Sequence, residues 1–268
     1  MNILPVLLII GLWGGEFEAA DRGSAGQATA EQSQIEAFLK EAKIGAVEKG
    51  VEVGRGAAWR VTLRDASGTQ RAFFKYVNVR RPQVSPISYK YELAAYLLSK
   101  LLGVPVIPPV VERDVDGRKG SLQIYLEGCI SETERRKAGM PAIADPRALA
   151  DAFEEMALIE GLTACQHNPN DILIHKDTGR VCRVDFAEAF DPSPELPRAA
   201  ARAIRCSRRL FAGLKAFDPA AAEAALAPYL NAAEIKGLLA RRTLLLDKFK
   251  ALIKAKGEAA VLFDLIVK

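Results

Sequence analysis

Two charged side chains occupy positions in the first half of the sequence where a charge needs a partner. Lys75 ends the apolar run Ala72-Phe73-Phe74, and Glu92 lies in the helical segment that follows. An ammonium group at the end of a buried strand needs a carboxylate nearby, because an unpaired buried charge is strongly disfavoured. Glu92, in the following helix, is a candidate for that partner, so an ion pair with Lys75 is one expectation. The alternative is that Lys75 reaches water at a strand edge and that Glu92 is an ordinary exposed residue.

Further residues with possible roles in binding lie before and after this pair. Gly50, Gly54 and Gly56 precede Lys75 at a place where the backbone could approach phosphate groups, although a simple turn explains their spacing equally well. Asp185 follows an apolar strand pattern in the second half of the chain. A carboxylate there is expected at an interface between two parts of the molecule, and the alternative is a helix N-cap.

The sequence contains only two histidines, His167 and His175, and four widely spaced cysteines without a C-x-x-C pair. A zinc site or a dense disulfide framework is therefore not indicated, although one or two disulfides stay possible. A Ser-His-Asp triad would have to use one of the two histidines, which disfavours most hydrolases. We expect His175 to be a solvated hairpin residue.

Composition limits the class of protein. The chain has 268 residues, of which 50% are hydrophobic and 26% charged, so it can bury a sizeable core. The net charge of +4 arises from 37 basic and 33 acidic residues that are well mixed. This balance gives no indication of a nucleic-acid partner.

The N-terminus carries an apolar run, Ile3 to Trp13, of the length of a signal-peptide core and too short to span a bilayer comfortably. We interpret residues 1–30 as a signal peptide and a disordered spacer, and expect export without a stable membrane span after cleavage. The run lacks a basic residue before it, and the best cleavage pattern, Ala28-Thr29-Ala30, lies well beyond it. The alternative is a buried first element in a cytoplasmic protein.

Apolar periodicity predicts mostly strands in the first half and mostly helices in the second. The predicted elements of the first half are a helix over 31–46, strands over 47–53, 57–63 and 70–77, a helix over 88–102, and a hairpin of 110–113 with 122–126. An exposed connection is predicted at 131–148. The second half is then predicted to contain a helix over 147–163, a hairpin of 172–174 with 181–184, and three helical segments after residue 199.

This order of elements, together with several motifs, resembles the atypical secretory-type kinase-like proteins, a group that includes the Golgi casein kinases and their bacterial relatives. The likeness covers residues 50–242. It rests on Phe73-Phe74-Lys75, Tyr91-Glu92-Leu93-Ala94-Ala95-Tyr96, Leu102-Gly103, Pro108-Pro109, Gly120-Ser121-Leu122-Gln123, Asn168-Pro169-Asn170-Asp171-Ile172-Leu173, Val184-Asp185-Phe186-Ala187-Glu188-Ala189-Phe190 and Ala240-Arg241-Arg242. The resemblance implies a two-lobed α+β fold, with an antiparallel-sheet N-lobe at 31–130 and a mainly helical C-lobe at 131–268.

The resemblance also implies roles for individual residues. Lys75, held by Glu92, would contact the phosphates of ATP or another nucleotide, with Gly54 and Gly56 nearby. Asp171 and Asp185 would hold Mg²⁺ or Mn²⁺ through hard oxygen ligands. The position of the catalytic base is filled by Gln166, or by Cys165 if the register moves by one residue, so neither register supplies a carboxylate.

The sequence therefore leaves three functions open. The favoured one is a degenerate kinase-like protein that binds nucleotide and metal, or a protein partner, without efficient transfer. The second is an active kinase that phosphorylates a protein or small-molecule hydroxyl, with Asp171, His167 or the substrate itself replacing the base. The third is an adaptor whose cleft is filled by side chains and binds no nucleotide.

Overall fold

The structure is a computed structural model that describes residues 23–53, 56–79, 86–141 and 146–265. The strands are β1 (Lys43–Val53), β2 (Gly56–Asp65), β3 (Gly68–Lys75), β4 (Asn78–Val79), β5 (Ile87–Ser88), β6 (Val110–Val115), β7 (Arg118–Ile124), β8 (Cys129–Ser131), β9 (Ile172–His175), β10 (Val181–Arg183), β11 (Cys206–Ser207) and β12 (Leu262–Phe263). The helices are α1 (Gly23–Glu41), α2 (Tyr89–Leu101), α3 (Glu132–Lys137), α4 (Pro146–Thr163), α5 (Arg198–Arg202), α6 (Arg208–Ala216), α7 (Pro219–Leu226), α8 (Ala232–Lys256) and α9 (Glu258–Val261). A 3₁₀ turn spans Pro169–Asp171.

The N-lobe is built on a five-stranded antiparallel sheet with the strand order β1-β2-β3-β7-β6. Side chains alternate between the two faces of a strand, so neighbours in β3 point in opposite directions. Ala72 and Phe74 are fully buried in a core that includes Phe38 and Leu39 of α1. Lys75, the next residue in the alternation, therefore lies on the opposite face of the sheet.

Helix α1 differs from the prediction at both ends. It begins at Gly23, inside the segment predicted as a disordered spacer, and ends at Glu41, so that β1 starts at Lys43. The early start agrees with the Ala and Gln residues of this segment, which favour helix once a buried face is available. The β-branched residues Ile44 and Val47 favour strand and end the helix early. The predicted signal-peptide core lies outside the described residues.

The observed bounds of helix α2 agree with the predicted bounds, 88–102, to within one residue. The Ser88 side chain caps its N-terminus by accepting a hydrogen bond from the Lys90 amide at 3.2 Å. Gly103, just past the last turn, has a φ of 65°, a conformation that glycine adopts without strain. Cap and terminator together fix where the helix lies along the chain.

The C-lobe contains a small antiparallel sheet of order β10-β9-β8 surrounded by helices. Two predictions for this part were wrong. Ser131 and Glu134 form a capping box that starts α3 inside the predicted exposed connection. Three helical segments were predicted from residue 199 onward, but the structure has five helices there. The helical pattern is divided by N-caps at Ser207, Asp218 and Asn231 and by a break at Gly257.

Two hydrophobic cores hold the molecule together. One joins α1 to the outer face of the N-lobe sheet, and the other joins α2 to the helices of the C-lobe. Helix α2 therefore belongs to the core that extends into the C-lobe, although it lies beside the N-lobe sheet. All four cysteines are free, so the disulfides that the sequence left open do not form. Across the described ranges, none of the helices combines the length and apolar character that a bilayer crossing requires.

Candidate functional site

The Lys75 ammonium lies between two carboxylates at the junction of the lobes. Its Nζ atom is 2.6 Å from Glu92 Oε1 and 2.7 Å from Asp185 Oδ1. The Glu92 side chain is buried, and Lys75 keeps 14% of its side-chain surface exposed. The predicted ion pair is therefore present, and neither the exposed-helix alternative for Glu92 nor the solvated-lysine alternative describes the structure.

Backbone groups also join the start of α2 to the segment that follows Asp185. The second oxygen of Glu92 accepts a hydrogen bond from the Phe186 amide at 3.0 Å, and the Ser88 amide donates to the carbonyl of Ala187 at 2.9 Å. Asp185 has a φ of 63°, a left-handed conformation that aspartate tolerates better than most residues. No helix begins in the described stretch 186–197, so the N-cap alternative for Asp185 is wrong.

The charges at this junction stabilise one another. Burial alone lowers the pKa of Lys75, but the charges and hydrogen bonds of Glu92 and Asp185 outweigh it and raise that pKa above its usual value. For Asp185, burial alone would raise the pKa. The charge and hydrogen bond of the Lys75 ammonium outweigh burial, so the pKa of Asp185 is lowered. Lys75 therefore carries a positive charge and Asp185 a negative one at neutral pH.

Asp171 lies beside Asp185 because the chain hydrogen-bonds across the two segments. The 3₁₀ turn that contains Asp171 is capped by the Asn168 side chain, and the Asp171 carbonyl accepts a hydrogen bond from the Val184 amide at 2.9 Å. Burial and the negative charge of Asp185 raise the pKa of Asp171 to about 6, while Arg183 opposes the shift. Two adjacent carboxylates, one of them held back from ionisation, fit a hard divalent cation.

Protein side chains alone provide an incomplete metal site here. Within the part of the chain that the structure describes, no group of three or more His, Cys, Asp or Glu side chains converges in a metal-binding arrangement. Mg²⁺ is commonly bound by one or two carboxylates plus phosphate oxygens and water. Asp171 and Asp185 fit a cation that arrives with a phosphate ligand better than a cation bound on its own.

The loop that precedes Asp171 presents Gln166 and His167 differently. Gln166 is exposed, and its backbone carbonyl accepts a hydrogen bond from Arg183 Nη2 at 3.1 Å. His167 keeps 56% of its side chain exposed while its Nδ1 atom lies 2.9 Å from Glu160 Oε2. The carboxylate therefore holds one ring nitrogen and leaves Nε2 facing outward.

Two residues of this region, Arg183 and Glu160, were missed by the sequence reasoning. The Arg183 side chain is only 1% exposed; its Nε donates to Glu160 Oε1 at 2.8 Å, and its Nη1 lies 3.4 Å from Asp171 Oδ2. It thus fills the space beneath the loop of Gln166 and Asp171. The available signal was an arginine inside the apolar run Val181–Val184, where a charge must be paired.

In the described residues, Gly56 and His175 have positions of their own in a strand pair and a hairpin turn. Gly56 begins β2 and pairs with Val53, whereas Gly54 lies outside the described residues, so its approach to phosphates stays a prediction. His175 Nδ1 accepts hydrogen bonds from the Asp177 and Thr178 amides and so closes the hairpin turn. The hairpin position expected for His175 is confirmed, but the residue is half-buried and not fully solvated.

Comparison with solved structures identifies the class of fold as protein-kinase-like. A hydra Fam20 structure determined with a sugar superposes with a TM-score of 0.66 at 14% identity, covering 89% of this chain and 93% of that one. A Golgi casein kinase structure gives 0.62 at 13% identity, over 90% of this chain and 81% of that chain. The Helicobacter pylori proinflammatory kinase CtkA gives 0.52 at 9% identity, over 81% and 98%.

These matches confirm the predicted two-lobed α+β kinase-like fold. No protein-family model matches the sequence, and none of the curated protein sequences does. At such low identities the likeness establishes the fold and carries no residue role.

Proposed function

We propose that the chain binds ATP or another nucleoside triphosphate together with Mg²⁺ or Mn²⁺ in the cleft between its lobes. The observation that carries the proposal is the position of the Lys75 ammonium at the junction of the lobes, within hydrogen-bond distance of both Glu92 and Asp185. An ammonium that two carboxylates orient, on a side chain that keeps 14% of its surface exposed, is suited to a phosphate oxygen. The kinase-like fold supports the same conclusion.

Each residue of the cluster has a distinct task in this proposal. Lys75 contacts phosphate oxygens, Glu92 orients Lys75, and Asp185 and Asp171 provide the oxygens that hold the cation. The cation, when bound, supplies positive charge against the phosphates. Its charge also favours the ionised form of Asp171, whose pKa is raised by burial and by the neighbouring Asp185.

Efficient phosphoryl transfer is not expected of this site. Gln166 occupies the position at which the resemblance places a catalytic carboxylate, and a neutral amide does not accept the hydroxyl proton. A positioned general base contributes about 10²–10⁴-fold to a rate. We therefore propose that the protein acts mainly by binding nucleotide, as a pseudokinase or a weak phosphotransferase.

A second candidate, an active kinase acting on a protein or small-molecule hydroxyl, is favoured by the contact between His167 and Glu160. A carboxylate that accepts a hydrogen bond from Nδ1–H leaves Nε2 as the proton acceptor. In this candidate His167 takes the proton of the acceptor hydroxyl as the hydroxyl oxygen bonds to the γ-phosphorus and the bond to the nucleoside diphosphate breaks. Lys75, Asp171 and Asp185 keep the tasks given above.

Nucleotide binding is tested by thermal unfolding with ATP, with and without Mg²⁺ or Mn²⁺. We expect a metal-dependent rise in the midpoint that is lost in Asp185→Ala and in Lys75→Ala, because a ligand that binds only the folded state stabilises it. Lys49→Ala is the matched control, since Lys49 forms an exposed ion pair with Asp116 in the N-lobe. No shift under any condition contradicts the proposal and favours the adaptor function.

Transfer of a γ-labelled phosphoryl group to a panel of proteins and small alcohols separates the two candidates. If the base is missing, Gln166→Asp raises the rate by roughly 10²–10⁴-fold, and His167→Gln leaves the slow rate of the unmodified chain unchanged. If His167 is the base, the unmodified chain transfers readily and His167→Gln abolishes the transfer. Transfer that survives Lys75→Ala would contradict the site assignment in both candidates.

A further inference from the structure

The first described helix makes polar contacts with α2 as well as apolar contacts with the sheet. The Glu36 carboxylate of α1 accepts hydrogen bonds through Oε1 from the Tyr96 hydroxyl at 2.6 Å and from Lys100 Nζ at 2.5 Å. Residues four apart lie on the same face of a helix, one turn from each other. Tyr96 and Lys100 therefore lie one and two turns beyond Glu92 on the face of α2 that presents Glu92.

Helix α1 is itself firmly attached to the N-lobe sheet. Ile35, Phe38 and Leu39 are buried in the core that covers the outer face of the sheet. The Arg113 guanidinium of β6 donates to the carbonyls of Leu39 and Ala42 at 2.7 and 2.6 Å, which satisfies acceptors at the end of the helix. Glu36 therefore presents its carboxylate from a support that is continuous with the strand bearing Lys75.

The strand that carries Lys75 and the helix that carries Glu92 pack mainly into different cores. Lys75 is carried by β3, whose buried side chains pack with α1, whereas α2 packs into the core that extends through the C-lobe. The separation between the ammonium and the carboxylate thus depends on contacts that join α2 to the N-lobe. At the start of α2, Tyr89 donates its hydroxyl hydrogen to Glu112 of β6 at 3.1 Å. Glu36 supplies the corresponding contact toward the end of the helix.

The surroundings make this contact stronger than an ordinary surface ion pair. Tyr96 is buried, and Glu36 and Lys100 are both partly covered. Burial alone raises the pKa of Glu36, but hydrogen bonds and charge from Lys100 and Tyr96 outweigh it and keep the carboxylate ionised. Loss of the carboxylate would leave the hydroxyl of a buried tyrosine without this acceptor, which costs more than loss of an exposed pair.

Helix α1 also extends toward the C-lobe. Burial raises the pKa of Glu31, and the positive charge of Arg180, in the turn between β9 and β10, partly offsets that effect. The Arg180 guanidinium in turn donates to the Pro105 carbonyl in the segment that follows α2. Glu31 of α1 therefore lies near Arg180, which contacts the segment that follows α2.

We propose that Glu36 is a positioning residue for the candidate site: by holding Tyr96 and Lys100 it keeps α2 at the distance from the sheet at which Glu92 pairs with Lys75. The inference rests on the proposed function only where it concerns the effect of Glu36 on nucleotide affinity. The effect of Glu36 on the Lys75–Glu92 pair requires no ligand.

The test compares Glu36→Ala, Glu36→Gln and Tyr96→Phe with the control Glu127→Ala, which removes a carboxylate that pairs with Arg71 elsewhere in the N-lobe. Two measurements need no nucleotide: the acylation rate of Lys75 at limiting reagent, read by mass spectrometry, and hydrogen exchange of the amides of α2. A third is the dissociation constant for ATP with Mg²⁺.

We expect the Glu36 variants and Tyr96→Phe to speed acylation of Lys75 and exchange in α2 by roughly 3- to 10-fold, the size of one lost hydrogen bond, and to weaken ATP binding to a similar degree. The control should change none of the three. A merely structural role for Glu36 would lower the unfolding midpoint without a selective effect at Lys75. Glu36→Gln and Tyr96→Phe keep the shape of the contact, so they serve if Glu36→Ala does not fold.

Unchanged Lys75 acylation and α2 exchange in all three variants would overturn the inference even if the unmodified chain binds ATP. If that chain binds no nucleotide but the variants expose Lys75, the proposed function fails and the positioning role of Glu36 stands.

Discussion

At the scale of single residues, the site consists of two cationic side chains, each of which pairs with two carboxylates. Lys75 lies between Glu92 and Asp185, and Arg183 lies between Glu160 and Asp171. The two cations differ in access, because Lys75 retains 14% of its side-chain surface and Arg183 only 1%. Lys75 is therefore placed to meet a ligand, whereas Arg183 supports the loop from below.

The raised pKa of Asp171 predicts how the stability of the protein depends on pH. Burial and Asp185 raise its pKa to about 6, above the usual value of 3.8, so the folded state binds the Asp171 proton more tightly than the unfolded chain does. The resulting stabilisation is present at low pH and is lost as the pH rises through about 6. Without metal, Asp171→Asn should therefore increase the free energy of unfolding at pH 7.5, by on the order of 1–3 kcal/mol, and by less near pH 4.5.

Urea unfolding in the presence of a chelator measures this difference. Asp247→Asn, at an exposed position of α8, is the matched control and should show no such dependence on pH. If Asp171→Asn lowers the free energy of unfolding at pH 7.5, the pairing of Asp171 with Arg183 outweighs burial, and the raised pKa of Asp171 is contradicted.

Among the elements, β3 and β7 place Lys75 through an unusually close backbone approach. A Cβ atom built on Gly120 would lie 2.3 Å from the Lys75 carbonyl oxygen and 2.7 Å from the Phe74 ring. Glycine is required here because any side chain would push the end of β3 away from β7. The position of Lys75 at the cleft thus depends on Gly120, a residue with no side chain that could bind or react.

Gly120→Ala should lower the free energy of unfolding by about 1–3 kcal/mol, the usual cost of overpacking, and should also weaken ATP binding because Lys75 moves. Gly45→Ala is the control within the same sheet, because an added Cβ there would lie 3.3 Å from the Thr62 carbonyl oxygen, a tight contact that a shift of a few tenths of an ångström relieves, whereas the 2.3 Å contact at Gly120 needs a much larger shift. Denaturant unfolding and the dissociation constant for ATP measure the two effects. Equal behaviour of the two variants would contradict the close approach seen between β3 and β7.

The molecule as a whole is held by two hydrophobic cores and by no disulfide. Burial raises the pKa of the Cys129 and Cys165 thiols to about 12, and burial also raises the pKa of Cys182 and Cys206. Thiols with raised pKa values stay protonated at neutral pH and react slowly. Packing therefore carries the stability that a disulfide framework provides in smaller secreted proteins.

We expect a reducing agent to leave the thermal unfolding midpoint unchanged, because no cross-link is present to be broken. Native protein should also react with a thiol reagent much more slowly than protein unfolded in urea, since three of the four cysteines are buried and the fourth is partly covered. Calorimetry with and without reductant, and thiol titration, provide the measurements. A midpoint that falls on reduction would show that a disulfide forms after all.

The sequence by itself determined the local elements and the kinase-like order in which they occur. Helix α2 and the hairpin partners were predictable because caps, turns and hydrophobic periodicity act over a few residues. The pairing of Lys75 with Glu92 was expected from the kinase-like order of the elements and from the need of a buried ammonium for a carboxylate. The tertiary structure alone decided which distant groups meet. Asp185 reaches Lys75 across 110 positions, and Glu160 reaches Arg183 across 23. Such contacts depend on how the two cores bring the lobes together, a property of the whole packing that local patterns along the chain do not encode.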